Sequence, residues 1–145
     1  MTSGTAGQEL GKADYERLSA FRYELGRFLA FSRSAAEAAG LTPQQHQALL
    51  AIKGYPGKDE ITIGELAERL GLKHHSAVGL VDRLAARNLV RRRADDADRR
   101  AVLVALTVEA DTLLAGLSRV HRRELARLSP TLTRLLGELA AEDVF

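Results

Sequence analysis

The sequence predicts a mainly α fold carrying one small β-hairpin, and three observations predict it. Apolar residues at helical spacing occupy both ends of the 145-residue chain, Leu18, Phe21, Leu25 and Phe28 near one end and Leu132, Leu135, Leu136 and Leu139 near the other. A short helical stretch closed by Gly71 is followed at once by another. Leu89 to Leu106 then reads as two strands around a polar turn, with Val102, Val104 and Leu106 on one face of the second.

Residues 1–11 are small and polar and read as a disordered tail. A helix is expected from Ala13 to about Ala39, ended by Gly40. At ~1.5 Å per residue it would be roughly 40 Å long, too long for one small lobe to cover, so part of its stripe is expected to pack on another chain. Thr42-Pro43 starts a second helix, a hydroxyl cap with proline behind it, and Gly54-Tyr55-Pro56-Gly57 breaks it. Ile61-Thr62-Ile63 is short and β-branched and reads as a single strand. Gly64 to Leu70 is a short helix with Leu66, Ala67 and Leu70 inward. Lys73 to Asn88 is the next, burying Ala77, Leu80, Val81 and Leu84.

The hairpin has strands over Leu89–Arg93 and Arg100–Leu106, joined by Ala94–Arg99. Thr107 opens a long helix to about Leu128, and Ser129-Pro130 is expected to start a separate last helix.

Composition narrows the function. Apolar residues make up 46%, enough for one core. With no cysteine, disulfides, thiolate metal sites and thiol redox sensing are excluded. No apolar run approaches the ~18–20 residues of a membrane span, and the N-terminus lacks a signal pattern, so a cytoplasmic location is expected, with no membrane contact. Aromatic residues are 5%, with no tryptophan, which argues against a stacking platform for single strands. No nucleophile–base pair, paired-carboxylate motif, phosphate loop or zinc spacing appears, so neither an enzyme nor a cofactor is expected.

Charge is uneven. Residues 73–100 hold eight basic and four acidic residues, a net of +4, which leaves 13 basic against 15 acidic, or −2, elsewhere. A solvated charged face would explain this, and so would a local contact with a polyanion. The element order favours the second. Helix, tight turn, helix and basic hairpin form a winged helix-turn-helix. A helix of that kind fits the ~12 Å major groove of duplex DNA, and a basic hairpin suits the phosphate wall or the minor groove.

Three stretches resemble the MarR (multiple antibiotic resistance regulator) family. They are Ile63-Gly64-Glu65-Leu66-Ala67-Glu68-Arg69-Leu70-Gly71-Leu72, then Leu80-Val81-Asp82-Arg83-Leu84 with Asn88-Leu89-Val90, and Asp98-Arg99-Arg100-Ala101-Val102-Leu103-Val104-Ala105-Leu106-Thr107. The resemblance runs from about residue 14 to 140. It implies a homodimeric transcription regulator, a repressor in the first instance, that binds a pseudo-palindromic duplex and is released by a small, often aromatic and anionic, effector. The domains implied are a dimerisation helix over 12–40, the DNA-binding lobe over 41–107 and C-terminal dimerisation helices over 108–145. A winged-helix module that binds protein instead of DNA is the alternative.

Carried onto this chain, the resemblance makes Arg100 the wing arginine of the minor groove and Asp82 the helix aspartate that pairs with wing basic residues. Asp98 has the wrong sign for DNA and reads as a turn organiser. Arg99 is a further candidate DNA contact, placed behind Arg100 because it alternates to the other side of the strand. His74, His75 and Ser76, at the start of the second helix of the pair, are polar and off the buried face, so they can meet bases or phosphates. A solvated cap is the plain alternative for them. The adjacent histidines diverge by ~100° and cannot readily hold one metal ion. Lys73 and Arg83 are candidate phosphate contacts, and Gly79 allows close backbone approach. Only part of the Arg91-Arg92-Arg93 run can face DNA, the rest meeting solvent or Asp95 and Asp96. Tyr15, Arg22, Tyr23, His46 and His121 are candidates for the effector crevice, with surface or interface roles as the alternative.

Overall fold

The computed structural model describes residues 9–141, so most of the expected tail and the last four residues of the C-terminal segment lie outside the described residues. The elements are α1 (Lys12–Ala38), α2 (Pro43–Lys53), β1 (Ile61–Thr62), α3 (Ile63–Leu70), α4 (His74–Ala86), β2 (Val90–Ala94), β3 (Val102–Leu106) and α5 (Val108–Ala141). The chain forms two compact units, one from the segments up to Phe31 and from His121 onward, the other from Ser32 to Val120.

The Ser32–Val120 unit is built from local signals. Thr42 accepts a hydrogen bond from the Gln45 amide at 3.1 Å, and the Gln45 side chain accepts one from the Thr42 amide, closing a capping box at the start of α2. Thr62 and Glu65 repeat the device at the start of α3. Ile63 is therefore the first helical residue and not the end of a strand. Gly71 ends α3 at φ 65°, a left-handed turn that glycine adopts without strain. Asn88 does the same after α4 at φ 57°. That turn ends α4 at Ala86, two residues before the expected end.

β1, β3 and β2 form one antiparallel sheet with β3 in the centre. Ile61 lies opposite Val104, and Val90 opposite Leu106. The hairpin is thus two strands of a three-stranded sheet, a pairing that joins segments some forty residues apart. Val104 and Leu106 are buried as the alternation predicts, whereas Val102 is exposed near the wing tip and Ala105 is buried on the opposite face. Leu49, Ile52, Ile61, Leu66, Leu80, Val81, Leu84 and Val104 fill the centre of the core. The buried Thr107 hydroxyl donates to the Asn88 carbonyl at 2.8 Å and accepts from the Ala110 amide at 3.2 Å, joining the end of α4 to the start of α5. Lys53 at the end of α2 pairs with Asp111 in the first turn of α5 at 3.1 Å, each complementing its helix dipole.

In the other unit, His121 of α5 meets Phe28 and Phe31 of α1 edge-on, with ring centroids 6.0 and 5.5 Å apart. Leu128 and Leu135 are buried. Pro130 lies inside α5, so the expected break at Ser129-Pro130 does not occur and one helix runs to Ala141. Proline's φ suits a helix. What it removes is one backbone donor, with a ring clash that costs about 3 kcal/mol. Burial of Leu128 and Leu135 on either side offsets that cost.

The α2–β1 loop is tied down by Glu65. Its carboxylate accepts from Lys58 Nζ at 2.8 Å and from the Thr62 amide at 3.0 Å, and these bonds, the lysine's first, hold its pKa down to about 2. Lys58 and Arg69 both lie against the Tyr55 ring. Because the folded value is depressed, this contribution to stability is whole above the ordinary value of 4.5 and is lost as pH falls towards about 2. Glu65→Gln keeps the capping acceptor and removes the charge. Urea unfolding should show wild type more stable than Glu65→Gln at neutral pH, with the gap closing across that window. A gap independent of pH would show that the charge contributes nothing.

Candidate nucleic-acid interface

The face of α4 opposite its buried Ala77, Leu80, Val81 and Leu84 carries the polar residues singled out above. Lys73 is the N-cap, without a side-chain capping bond, and is exposed together with His74 and His75, while Ser76 is half-buried. The first amides of α4 also lie at this end, where a helix favours an anion. Gly79 and Arg83 follow on the same side, and Asp82 beside them pairs with Arg92 of β2.

The strand sorts the arginine run. Arg92 is spent on Asp82. Arg93 binds Glu60 at 2.7 Å and lies 3.5 Å from Asp96. Arg91 points to the other sheet face from Arg92, and its side chain has no ion pair or hydrogen bond among the described residues. The same holds for Lys73, Arg83, Arg99 and Arg100, all exposed. Five cations thus remain uncompensated around α4 and the wing.

The wing tip is internally bonded. The Asp98 carboxylate accepts from the Arg100 amide at 3.0 Å, and the Asp95 carboxylate from the Ala97 amide at 3.0 Å. The Asp95 amide donates to the Ala101 carbonyl at 3.1 Å. Arg99 and Arg100 therefore sit in a defined turn, and β3 begins only at Val102, two residues after the expected start.

Sequence reasoning missed Arg87. Its guanidinium donates to the buried Gln45 side-chain oxygen at 3.1 Å and lies over Gly40, which has φ 80°. It therefore ties the residue after α4 to the joint between α1 and α2. The partner lies 42 positions away, so no local pattern could reveal it. Glu60, the partner of Arg93, escaped for the same reason.

The five effector candidates are divided. Tyr15, Arg22 and Tyr23 are exposed on α1, and His121 lies between two phenylalanine edges in the same unit. His46 belongs to the other unit and is only 5% exposed in α2, so it is a core residue there. Among the described residues no group of three His, Asp or Glu side chains could hold a metal ion.

A three-helix lobe with a basic two-stranded wing and an open polar helix face is a winged helix-turn-helix. Residues 39–101 match the model of the MarR family. The chain is similar to that family over this segment. It is 32% identical over 97 residues to the HTH-type transcriptional repressor MdtR of Bacillus subtilis, covering 64% of this chain and 61% of MdtR. It therefore spans about six-tenths of that relative's length. The fold is shared with YusO of Bacillus subtilis, at a TM-score of 0.64 and 24% identity over 88% of each chain. It is also shared with a mutant of Escherichia coli MarR complexed with operator DNA, at a TM-score of 0.65 and 19% identity over 86% of this chain and 90% of that one. The relative MdtR is named a transcriptional repressor.

Proposed function

We propose that this chain regulates transcription, as a repressor, by binding a specific pseudo-palindromic DNA duplex as a homodimer. The observation that carries the reading is the set of uncompensated cations, Lys73 and Arg83 on α4 and Arg99 and Arg100 on the wing, around a polar helix face. In this reading α4 enters the major groove, with His74, His75 and Ser76 at the base edges and the wing arginines at the minor groove. Asp82 holds the wing through Arg92, and Asp98 shapes the turn that presents Arg100. MdtR, named a repressor, and the operator complex of the MarR mutant support the same reading. A small aromatic or anionic effector acts by binding the DNA-incompetent arrangement better. Tyr15, Arg22, Tyr23 and His121 are its candidate contacts, in a cytoplasmic protein. Among the described residues no helix is long and apolar enough to cross a membrane.

The test of DNA binding is selection from a random duplex library with the purified chain. Enrichment of an inverted repeat with half-sites about 10 base pairs apart is expected. A scrambled duplex should bind at least about 10³-fold more weakly. Recovery of no sequence, with no salt-dependent binding to any duplex, would leave the protein-interaction module as the better reading.

Homodimerisation is supported by Leu18, Leu25, Leu29, Leu125 and Leu136, which are exposed in the unit formed by α1 up to Phe31 and α5 from His121. A second copy would cover such surface symmetrically. Sedimentation at micromolar concentration should give twice the 15.8 kDa chain mass. A clean monomer there would remove the dimer and with it the two-fold site.

A further inference from the structure

Gly79 sits in the middle of α4 on its open face, where glycine weakens a helix. Nothing in the fold requires it. Its backbone is ordinary helix, not the left-handed conformation of Gly40, Gly57 and Gly71. A Cβ built there would meet a single neighbour within 4 Å, the Arg83 Nη1 atom at 3.4 Å, which is the far end of a flexible side chain. The Arg83 guanidinium therefore lies back over the bare backbone of Gly79. Long side chains on a helix lean towards its N-terminus, and a residue without a side chain four positions earlier lets the lean go to completion. The fork is then carried about 5 Å, one helical turn, towards His74, His75 and Ser76.

We propose that Gly79 and Arg83 form one specificity-determining unit that reads a guanine in the major groove. Arg83 supplies the two-pronged donor for guanine O6 and N7, and Gly79 supplies the space that aims it. Arg83 suits the task because its side chain has no ion pair or hydrogen bond among the described residues, while the neighbouring Asp82 is engaged by Arg92 and does not neutralise it. A guanidinium fork matches the guanine edge in a bidentate way that lysine cannot reproduce. This replaces the expectation that Arg83 is a phosphate contact, and it rests on the DNA-binding reading above.

The experiment uses the full chain on its selected duplex and on versions with each base pair substituted. Arg83→Ala and Arg83→Lys should each cost about 5- to 150-fold per half-site on the selected duplex, and nothing further when one G·C pair per half-site is replaced. Gly79→Gln, which fills the space and keeps Arg83, should change the preference at that same pair. Gly79→Ala, whose methyl just touches the guanidinium, should raise the thermal midpoint by about 3 °C through helix propensity. Its affinity should nonetheless not improve. Should Arg83→Ala weaken every duplex alike and lower the salt slope, Arg83 is a phosphate contact and the proposal fails while DNA binding stands. Should Gly79→Gln keep every wild-type base preference, Gly79 does not aim Arg83 and the unit fails. If wild type binds no duplex, both readings fall together.

Discussion

Binding of the wild-type chain to its selected duplex should fall about 10³- to 10⁵-fold between roughly 50 and 200 mM salt. That is the range for 6–10 neutralised phosphates per dimer, each releasing condensed counterions. Four uncompensated cations per subunit, Lys73, Arg91, Arg99 and Arg100, are enough to supply it, with Arg83 left to the base edge. Arg92 and Arg93 are not counted, because Asp82, Glu60 and Asp96 already hold them. Arg100→Ala should weaken binding to every duplex, with A·T-rich flanks losing most, since a narrow minor groove concentrates negative potential. It should also reduce the salt slope by about two per dimer, one for each subunit. Changes at His74, His75 or Ser76 should behave differently, altering which base pairs are preferred by about 1–3 kcal/mol per lost contact. Equilibrium binding on the selected and a scrambled duplex at two salt concentrations separates these outcomes. An Arg100→Ala variant with unchanged affinity and slope on both duplexes would take the wing out of the interface.

Leu84→Ala should destabilise the Ser32–Val120 unit by about 2–5 kcal/mol, because it removes a fully buried side chain and leaves a cavity under α4. Total domain stability is typically about 5–15 kcal/mol, so this one change removes a large share of it. Leu84→Met conserves volume and should cost less than about 1.5 kcal/mol. Urea unfolding followed by circular dichroism measures both. If the alanine variant lost less than the methionine variant, α4 would not be seated on this core through Leu84. Exposed positions on the opposite side of the same helix, such as His75, should change stability little, which separates seating the helix from what its open face does.

What could be read from the sequence was what is decided locally. Thr42-Pro43 and Gly71 mark helix ends through bonds spanning a few residues, and the structure places the ends there, whereas the Thr62–Glu65 capping box is hidden in a β-branched run that reads as strand. The burial of Leu80, Val81 and Leu84 follows from a 3.6-residue period in the same way. Pro130 shows the limit of local rules. The tendency of proline to open a helix competes with the leucines on either side, and only the packed state decides between them. The pairing of β1 with β3, the Glu60–Arg93 ion pair and the Arg87–Gln45 bond depend on which distant segments become neighbours. Adjacent sequence carries no mark of that. The interface was legible as a list of residue types, but not as a division between spent and open cations. That division depends on the strand register that turns Arg92 towards Asp82 and Arg91 away.

The bonded wing tip has a thermodynamic consequence for complex formation. Holding a residue in one backbone conformation costs about 1–2 kcal/mol at room temperature. In the turn from Asp95 to Ala101 much of that entropy is surrendered when the chain folds, through the Asp95 and Asp98 carboxylates and the closing Asp95–Ala101 backbone bond. Little of it is then left to lose on meeting a partner. An arginine presented from such a turn keeps more of its contact energy as affinity than one on a loop that must order as it docks.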